Sequence, residues 1–305
     1  MPGAITLIGS GYAADAFLVR AQAGLPDRPS GRPRGVSATS DLVLRLPKPP
    51  LDRSRAILRR EVRLLRALEG HDLGVAIPRE VRTIVEGRVL LGTLHHHVPG
   101  ARFPRGLRGA ARERLCAGIG RFLAALHAVP TEVATHAGCA PVDLRDDVYR
   151  ELVDETLPHL APASAAWLSG AAEEFVRGDG TRRAPCVLVH GDIQANHLLA
   201  TEDGTLTGVI DFGNAMLTDP ALDFAGVLND LGWRDLERVW AAYEAAGGTV
   251  DADAERRVRF IITVVPIYRV LYGEAAEGPA ERRAGLRQLA ARAAASTRRG
   301  TPTGS

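Results

Sequence analysis

The sequence predicts an α+β chain of two lobes: a small β-rich lobe over residues 1–98 and a larger, mainly helical lobe over 99–295. A disordered tail is expected at 296–305. Three observations carry this. Short runs of β-branched and aliphatic residues crowd the first part of the chain, at 4–9, 16–19, 41–46 and 78–91. After Pro99-Gly100 the apolar spacing changes to the helical period, most clearly over 112–129. Within the helical part, three short apolar runs at 186–189, 197–200 and 205–210 return to strand character.

Taken in order, 4–9 and 16–19 are strands joined by a glycine-containing turn. The stretch 20–40 is rich in Gly, Pro, Arg and Ser without apolar period, and so reads as an exposed loop. Asp-Leu-Val-Leu-Arg-Leu at 41–46 resumes a strand that Pro47 stops, and Asp52 is the expected N-cap of a helix reaching Glu69. Ile57, Leu64, Leu65 and Leu68 fall on one face of that helix, with Glu61 inside the apolar stripe. A carboxylate so placed needs a partner. Residues 78–91 form strand, turn and strand around Gly87; 142–157 and 164–176 are helices; Thr-Glu-Asp-Gly at 201–204 turns a hairpin. Helices return from Leu222.

The composition is that of an ordinary globular protein, 46% hydrophobic and 24% charged over 305 residues. Net charge is +2, with basic and acidic residues interleaved, which gives no electrostatic case for nucleic acid. All but one of the basic side chains are arginine, the exception being Lys48. Cys116, Cys139 and Cys186 are scattered and odd in number, as suits a reducing cytoplasm. The strongest apolar run, 260–265, is too short to span a bilayer, and the N-terminus lacks a signal-peptide pattern.

The chemistry concentrates in Val187-Leu-Val-His-Gly-Asp-Ile-Gln-Ala-Asn-His-Leu-Leu199 and Gly208-Val-Ile-Asp-Phe-Gly213. One apolar strand delivers His190-Gly191-Asp192 to a polar loop, and a second delivers Asp211-Phe212-Gly213. Phosphoryl transfer needs two carboxylates in separate roles, one at the attacking hydroxyl and one on the metal that bridges the phosphates. A single hairpin between them suffices to bring the two together. In the N-terminal lobe, Gly9-Ser10-Gly11 lies between two strands, where glycine lets backbone N–H groups approach phosphate.

These motifs, with Thr218-Asp-Pro-Ala-Leu-Asp-Phe-Ala225 after them, resemble the aminoglycoside phosphotransferase family of antibiotic kinases. The resemblance implies a protein-kinase-like fold, ATP or GTP with Mg²⁺ as cofactors, and a small-molecule hydroxyl as acceptor. It implies Asp192 as catalytic base, supported by His190, and Asp211 as a metal ligand. Asp219 and Asp223 are implied to be structural. The family's second metal ligand, an Asn, falls here at His197, with Asn196 one place earlier; either serves the metal. His197 is similar to the macrolide-kinase branch. The strand cation that pairs with Glu61 is Arg45 by alignment, with Lys48 as the alternative. Leu94-His-His-His-Val-Pro-Gly100 resembles the interlobe connector, and places His95 and His96 against the adenine pocket with backbone groups.

Asp143, Asp147, Glu151 and Glu155, with Asp154 beside them, follow steps of four along one helix stripe. They read either as a solvated face, partly neutralised by Arg145 and Arg150, or as a cradle for a cationic antibiotic. His127 and the three tryptophans read as structural. The expected activity is O-phosphorylation of an antibiotic such as an aminoglycoside, conferring resistance. The tract 67–78 is also similar to the viomycin-type kinases. A metabolic kinase acting on choline, homoserine or a sugar, and a weakly active pseudokinase binding module, are the alternatives.

Overall fold

The structure is a computed structural model that describes residues 5–20, 41–102, 106–142, 149–177, 185–277 and 279–299. The expected loop at 20–40 lies almost wholly outside the described residues, as do Asp143, Arg145 and Asp147 of the acidic stripe.

The N-terminal lobe is a five-stranded antiparallel sheet in the order β1-β2-β3-β5-β4. Its strands are β1 (Ile5–Ser10), β2 (Ala14–Val19), β3 (Leu42–Pro47), β4 (Glu80–Glu86) and β5 (Val89–His96). Helix α1 (Leu51–Leu68) connects β3 to β4. It starts one residue before Asp52, after Pro50, and no side chain caps it. Proline's fixed φ sets this helix start, and Asp52 serves instead as a first-turn carboxylate on the positive helix end. The face that α1 buries comprises Ser54, Leu58, Glu61, Val62, Leu64, Leu65 and Leu68. Ile57 stays half-buried.

The lobes are asymmetric in how they pack. Leu64, Leu65 and Leu68 belong to the large core of the C-terminal lobe, whereas only Ala14, Leu58 and Leu90 form a separate N-lobe cluster. Helix α1 is thus anchored to the lower lobe as much as to its own sheet. Two arginines reinforce this across the boundary: Arg60 Nη2 donates to Gly213 O at 2.6 Å, and Arg63 Nε to Ala137 O at 3.0 Å.

The helical lobe contains α2 (Gly109–His127), α3 (Thr131–His136), α4 (Tyr149–Thr156), α5 (Pro162–Arg177), α6 (Ala221–Leu231), α7 (Trp233–Ala245), α8 (Ala254–Glu277) and α9 (Pro279–Arg299). Helix α9 runs into the stretch expected as a tail. Embedded among these are two small sheets, β6-β8-β9 and β7-β10, built from β6 (Ala101–Arg102), β7 (Val187–Val189), β8 (Leu198–Ala200), β9 (Leu206–Val209) and β10 (Met216–Thr218). The segment after α1 clasps the β8–β9 hairpin: Ala76 N donates to Thr207 O, and Val209 N to Ala76 O, both at 3.0 Å. Gly208 permits this approach, since a Cβ there would collide with Val98 and sit 3.2 Å from Ala76 O. Among the described residues no helix is long and apolar enough to cross a membrane.

Candidate active site

Strand β7 ends at Val189 and releases His190, Gly191 and Asp192; β9 ends at Val209 and releases Asp211. The two carboxylates therefore emerge side by side. Gly191 has φ +77°, and a Cβ on it would run into Asn214 O, so this turn requires glycine. Asp211 has φ 69° and is the one non-glycine with positive φ among the described residues. Asp tolerates this left-handed conformation better than most side chains.

Asp192 is held by two amides. Gln194 Nε2 donates to its Oδ1 at 2.9 Å, and Asn214 Nδ2 to its Oδ2 at 3.3 Å. Burial pushes the Asp192 carboxyl above the ordinary aspartate range, against the pull of His197 and His190. A carboxylate of raised basicity, one-third exposed, suits proton transfer. His190 is fully buried, and burial pushes its imidazole down into the neutral form. Its Nε2–H donates to Ile210 O at 3.1 Å, leaving Nδ1 to accept the Asp192 N–H at 3.3 Å. Its ring meets Phe212 edge-on, with centroids 4.7 Å apart. His190 thus ties one aspartate loop to the other.

Below them Asp223, buried at the start of α6, accepts the N–H of His190 at Oδ2 and of Gly191 at Oδ1, both at 2.8 Å. His127 Nε2 lies 3.1 Å from the same Oδ2, and its Nδ1 lies 3.1 Å from the Tyr243 hydroxyl. The structural histidine at the end of α2 is therefore part of the catalytic loop's anchor. Asp223→Asn, with one acceptor oxygen instead of two, leaves a buried donor of this set unmatched. The expected cost is about 1–3 kcal/mol in chemical denaturation, with kcat reduced and nucleotide KM preserved.

Across the lobe boundary, Arg45 in β3 forks between Glu61 of α1, through Nη1 to Oε1, and Asp211 Oδ1, through Nη2 at 3.0 Å. Glu61 is buried, as its place in the apolar stripe requires. Burial disfavours charge on Arg45, but Glu61 and Asp211 outweigh it and hold the guanidinium firmly protonated. Burial likewise works against Asp211, yet Arg45, then His197 and His190, hold its carboxyl below the ordinary range. Lys48 sits elsewhere, on the glycine loop, donating to Ser10 Oγ at 2.9 Å and Gly11 O at 3.1 Å. Ser10 Oγ in turn donates to Asp15 at 2.6 Å. Gly9 and Gly11 bracket the loop; a Cβ on Gly11 would lie 4.0 Å from Asp211 Oδ2, so the loop tip overhangs Asp211. Arg102 of β6 bonds Ile8 O at 2.6 Å and braces the loop from below.

His197 lies between the two aspartates. Its Nδ1–H donates to Asp192 O at 2.9 Å, and its Nε2 is 3.6 Å from Asp211 Oδ2. Nε2 thus faces a carboxylate oxygen of Asp211, with His197 and Asp211 converging on one spot. Asn196 is exposed in the same turn. Among the described residues no set of three or more His, Cys, Asp and Glu is arranged to hold a metal alone. The Asp211 carboxylate fits a cation completed by phosphate oxygens and water, the usual arrangement for nucleotide-bound Mg²⁺, whereas the His197 imidazole is a poorer partner for so hard an ion.

The connector histidines lie at the end of β5. The His95 ring is buried, its Nε2 2.9 Å from Thr93 Oγ1, and burial pushes its pKa down to about 4. The N–H of His96 bonds Arg79 O, and that of His97 bonds Asp41 O. These donors are spent within the N-lobe, because β5 extends through His96 while still paired to its neighbours. His96 and His97 line a cavity of about 650 Å³ bounded by Leu73, Val75, Ile77 and Val98. Sequence reasoning missed Gln194, Asn214, Arg60 and Arg102; only Asn214, directly after Asp-Phe-Gly, had a local signal.

The model of the phosphotransferase enzyme family matches residues 4–261. Among solved structures, the GDP and kanamycin complex of APH(2")-IIia is 25% identical, with a TM-score of 0.80 over 96% of this chain and 93% of that one. The macrolide 2'-phosphotransferase MphH of Brachybacterium faecium, an apoenzyme, is 25% identical with a TM-score of 0.71, over 94% and 91%. The uncharacterized protein YcbJ of Bacillus subtilis (strain 168) is 30% identical over 80 residues, a match that spans 26% of either chain.

Proposed function

Because this chain belongs to the phosphotransferase enzyme family, we propose that its acceptor is the hydroxyl of an aminoglycoside-type antibiotic and its donor a purine nucleoside triphosphate. That it is a small-molecule phosphotransferase acting on hydroxyl groups, and that its fold is that of nucleotide-binding antibiotic kinases, follow from the family and its structural neighbours. The observation that supports phosphoryl transfer at this site is the pairing of Asp192 and Asp211 across His197, with Arg45 on Asp211 Oδ1. An aminoglycoside is favoured over a macrolide because the kanamycin-bound neighbour superposes more closely, with a TM-score of 0.80 against 0.71 for MphH.

In this mechanism Asp192 accepts the proton of the substrate hydroxyl as its oxygen attacks the γ-phosphorus. The new P–O bond forms while the β–γ bridging bond breaks, giving a phosphate ester and a nucleoside diphosphate. Gln194 and Asn214 orient the carboxylate, and Arg45 with the glycine-loop amides holds the phosphates. Asp211 and His197 would hold Mg²⁺, whose charge would offset that of the phosphates. A macrolide is the second reading, favoured by His197 and the MphH likeness.

The test is a nucleotide-consumption screen against aminoglycosides, macrolides, viomycin-type peptides, choline, homoserine and sugars, with Asp192→Ala in parallel. Consumption unchanged in that variant overturns the assignment; stimulation only by choline, homoserine or a sugar moves the protein to metabolism. His197→Leu is expected to raise the KM for free Mg²⁺ by about 10–100-fold, with His197→Asn restoring most of it. Initial rates at varied Mg²⁺ and fixed nucleotide measure this.

A further inference from the structure

Helix α2 breaks a rule of helix electrostatics. Its positive N-terminal end carries no carboxylate in the first turn, and its N-cap residue is Arg108, followed by Arg112. Helix α7 begins opposite, after Gly232, with Arg234 in its first turn and Arg238 one turn on. The two helix starts bound a cavity of about 510 Å³, lined by Arg108, Arg112, Arg234, Arg238, Glu113 and Asp235, which shares no lining residue with the active site.

Four guanidiniums thus face two carboxylates, and those carboxylates are committed. Asp235 is 8% exposed, and its oxygens are taken by Arg112 Nε at 2.8 Å and Arg238 Nη1 at 2.7 Å. Burial works against its charge, but the bonds from Arg238 and Arg112 hold its carboxyl below the ordinary range. Glu113 lies 3.3 Å from Arg238 Nη2. Asp235 therefore aims two arginine forks, while Arg108 and Arg234 stand exposed at the mouth with two surplus positive charges. Oriented guanidiniums match tetrahedral oxyanions through paired N–H donors. The volume exceeds that of one phosphate and suits a diphosphate or a phosphate ester.

We propose that the arginine-lined cavity between the starts of α2 and α7 is a second, non-catalytic site that binds a diphosphate or phosphate-ester anion. The probe is inorganic pyrophosphate, titrated calorimetrically into the full chain without divalent metal. Saturable binding is expected, weakened about tenfold or more, roughly 1.4 kcal/mol, when Arg108→Gln and Arg234→Gln are combined. Phosphotransferase activity of that double variant should match wild type. Arg283→Gln with Arg287→Gln, exposed on α9, controls for loss of two charges and should bind as wild type. Absence of saturable binding, wild-type affinity in the cavity variant, or equal weakening in the α9 variant each overturns the proposal. Inorganic phosphate and a sugar phosphate, titrated alongside, separate a free-anion site from an ester site.

Discussion

Asp192→Asn is expected to lower kcat by about 10²–10⁴-fold while nucleotide affinity stays at the wild-type value. The shape of the side chain survives, and so does its contact with Gln194 at 2.9 Å; what is lost is the proton acceptor. Because burial places the Asp192 carboxyl above the usual range, the wild-type rate should fall on the acid side at a pH above that of an ordinary aspartate. The direction follows from the role: a base is active when deprotonated, so activity is present above its pKa and lost as pH falls through it. Single-turnover transfer to the best acceptor, with nucleotide affinity measured by fluorescence titration, separates the two quantities. A variant that loses nucleotide binding in proportion to rate would assign Asp192 to binding instead.

Arg45→Leu is the second large effect. Glu61, 1% exposed, would be left as a buried carboxylate without its counter-charge, at a cost of about 3–5 kcal/mol in urea unfolding at neutral pH. The deficit should narrow as pH falls toward the ordinary carboxylate range, because a protonated Glu61 needs no cation. Arg45→Lys is expected to recover only part, since one ammonium cannot fork to Glu61 and Asp211 in the same plane. Adding Glu61→Leu to Arg45→Leu should restore most of the stability but none of the activity. That outcome would distinguish a catalytic scaffold from a merely structural pair.

Much of this was legible in the sequence, for reasons that can be named. Asp192 and Asp211 each follow an apolar strand run, so local pattern alone places them at strand ends. Glu61 betrayed itself by interrupting an apolar helix face. The partners of Asp192 did not, because Gln194 and Asn214 reach it from loops whose approach depends on φ +77° at Gly191 and on the antiparallel pairing of β7 with β10. The surroundings of His95 and His96 were illegible for a related reason. Alternation along a strand says which way side chains point, but not that β5 continues far enough to consume the connector's own N–H groups. Asp52 was displaced as a cap by the proline two positions earlier, whose backbone constraint outranks a side-chain preference.

The anchoring of α1 has a consequence for control. Only residues 214–220 separate Asp-Phe-Gly from α6, and three of them form β10. That span is too short for a segment that could swing in and out of the cleft. With Arg60 on Gly213 O, Arg63 on Ala137 O and Arg45 bridging Glu61 to Asp211, the helix that regulated kinases move to switch themselves on is tied to both the Asp-Phe-Gly loop and the lower lobe. An enzyme fastened in this way would need no separate activating step. Its output would follow the arrival of its small-molecule acceptor and donor, so the cell would set the dose by how much of the protein it makes.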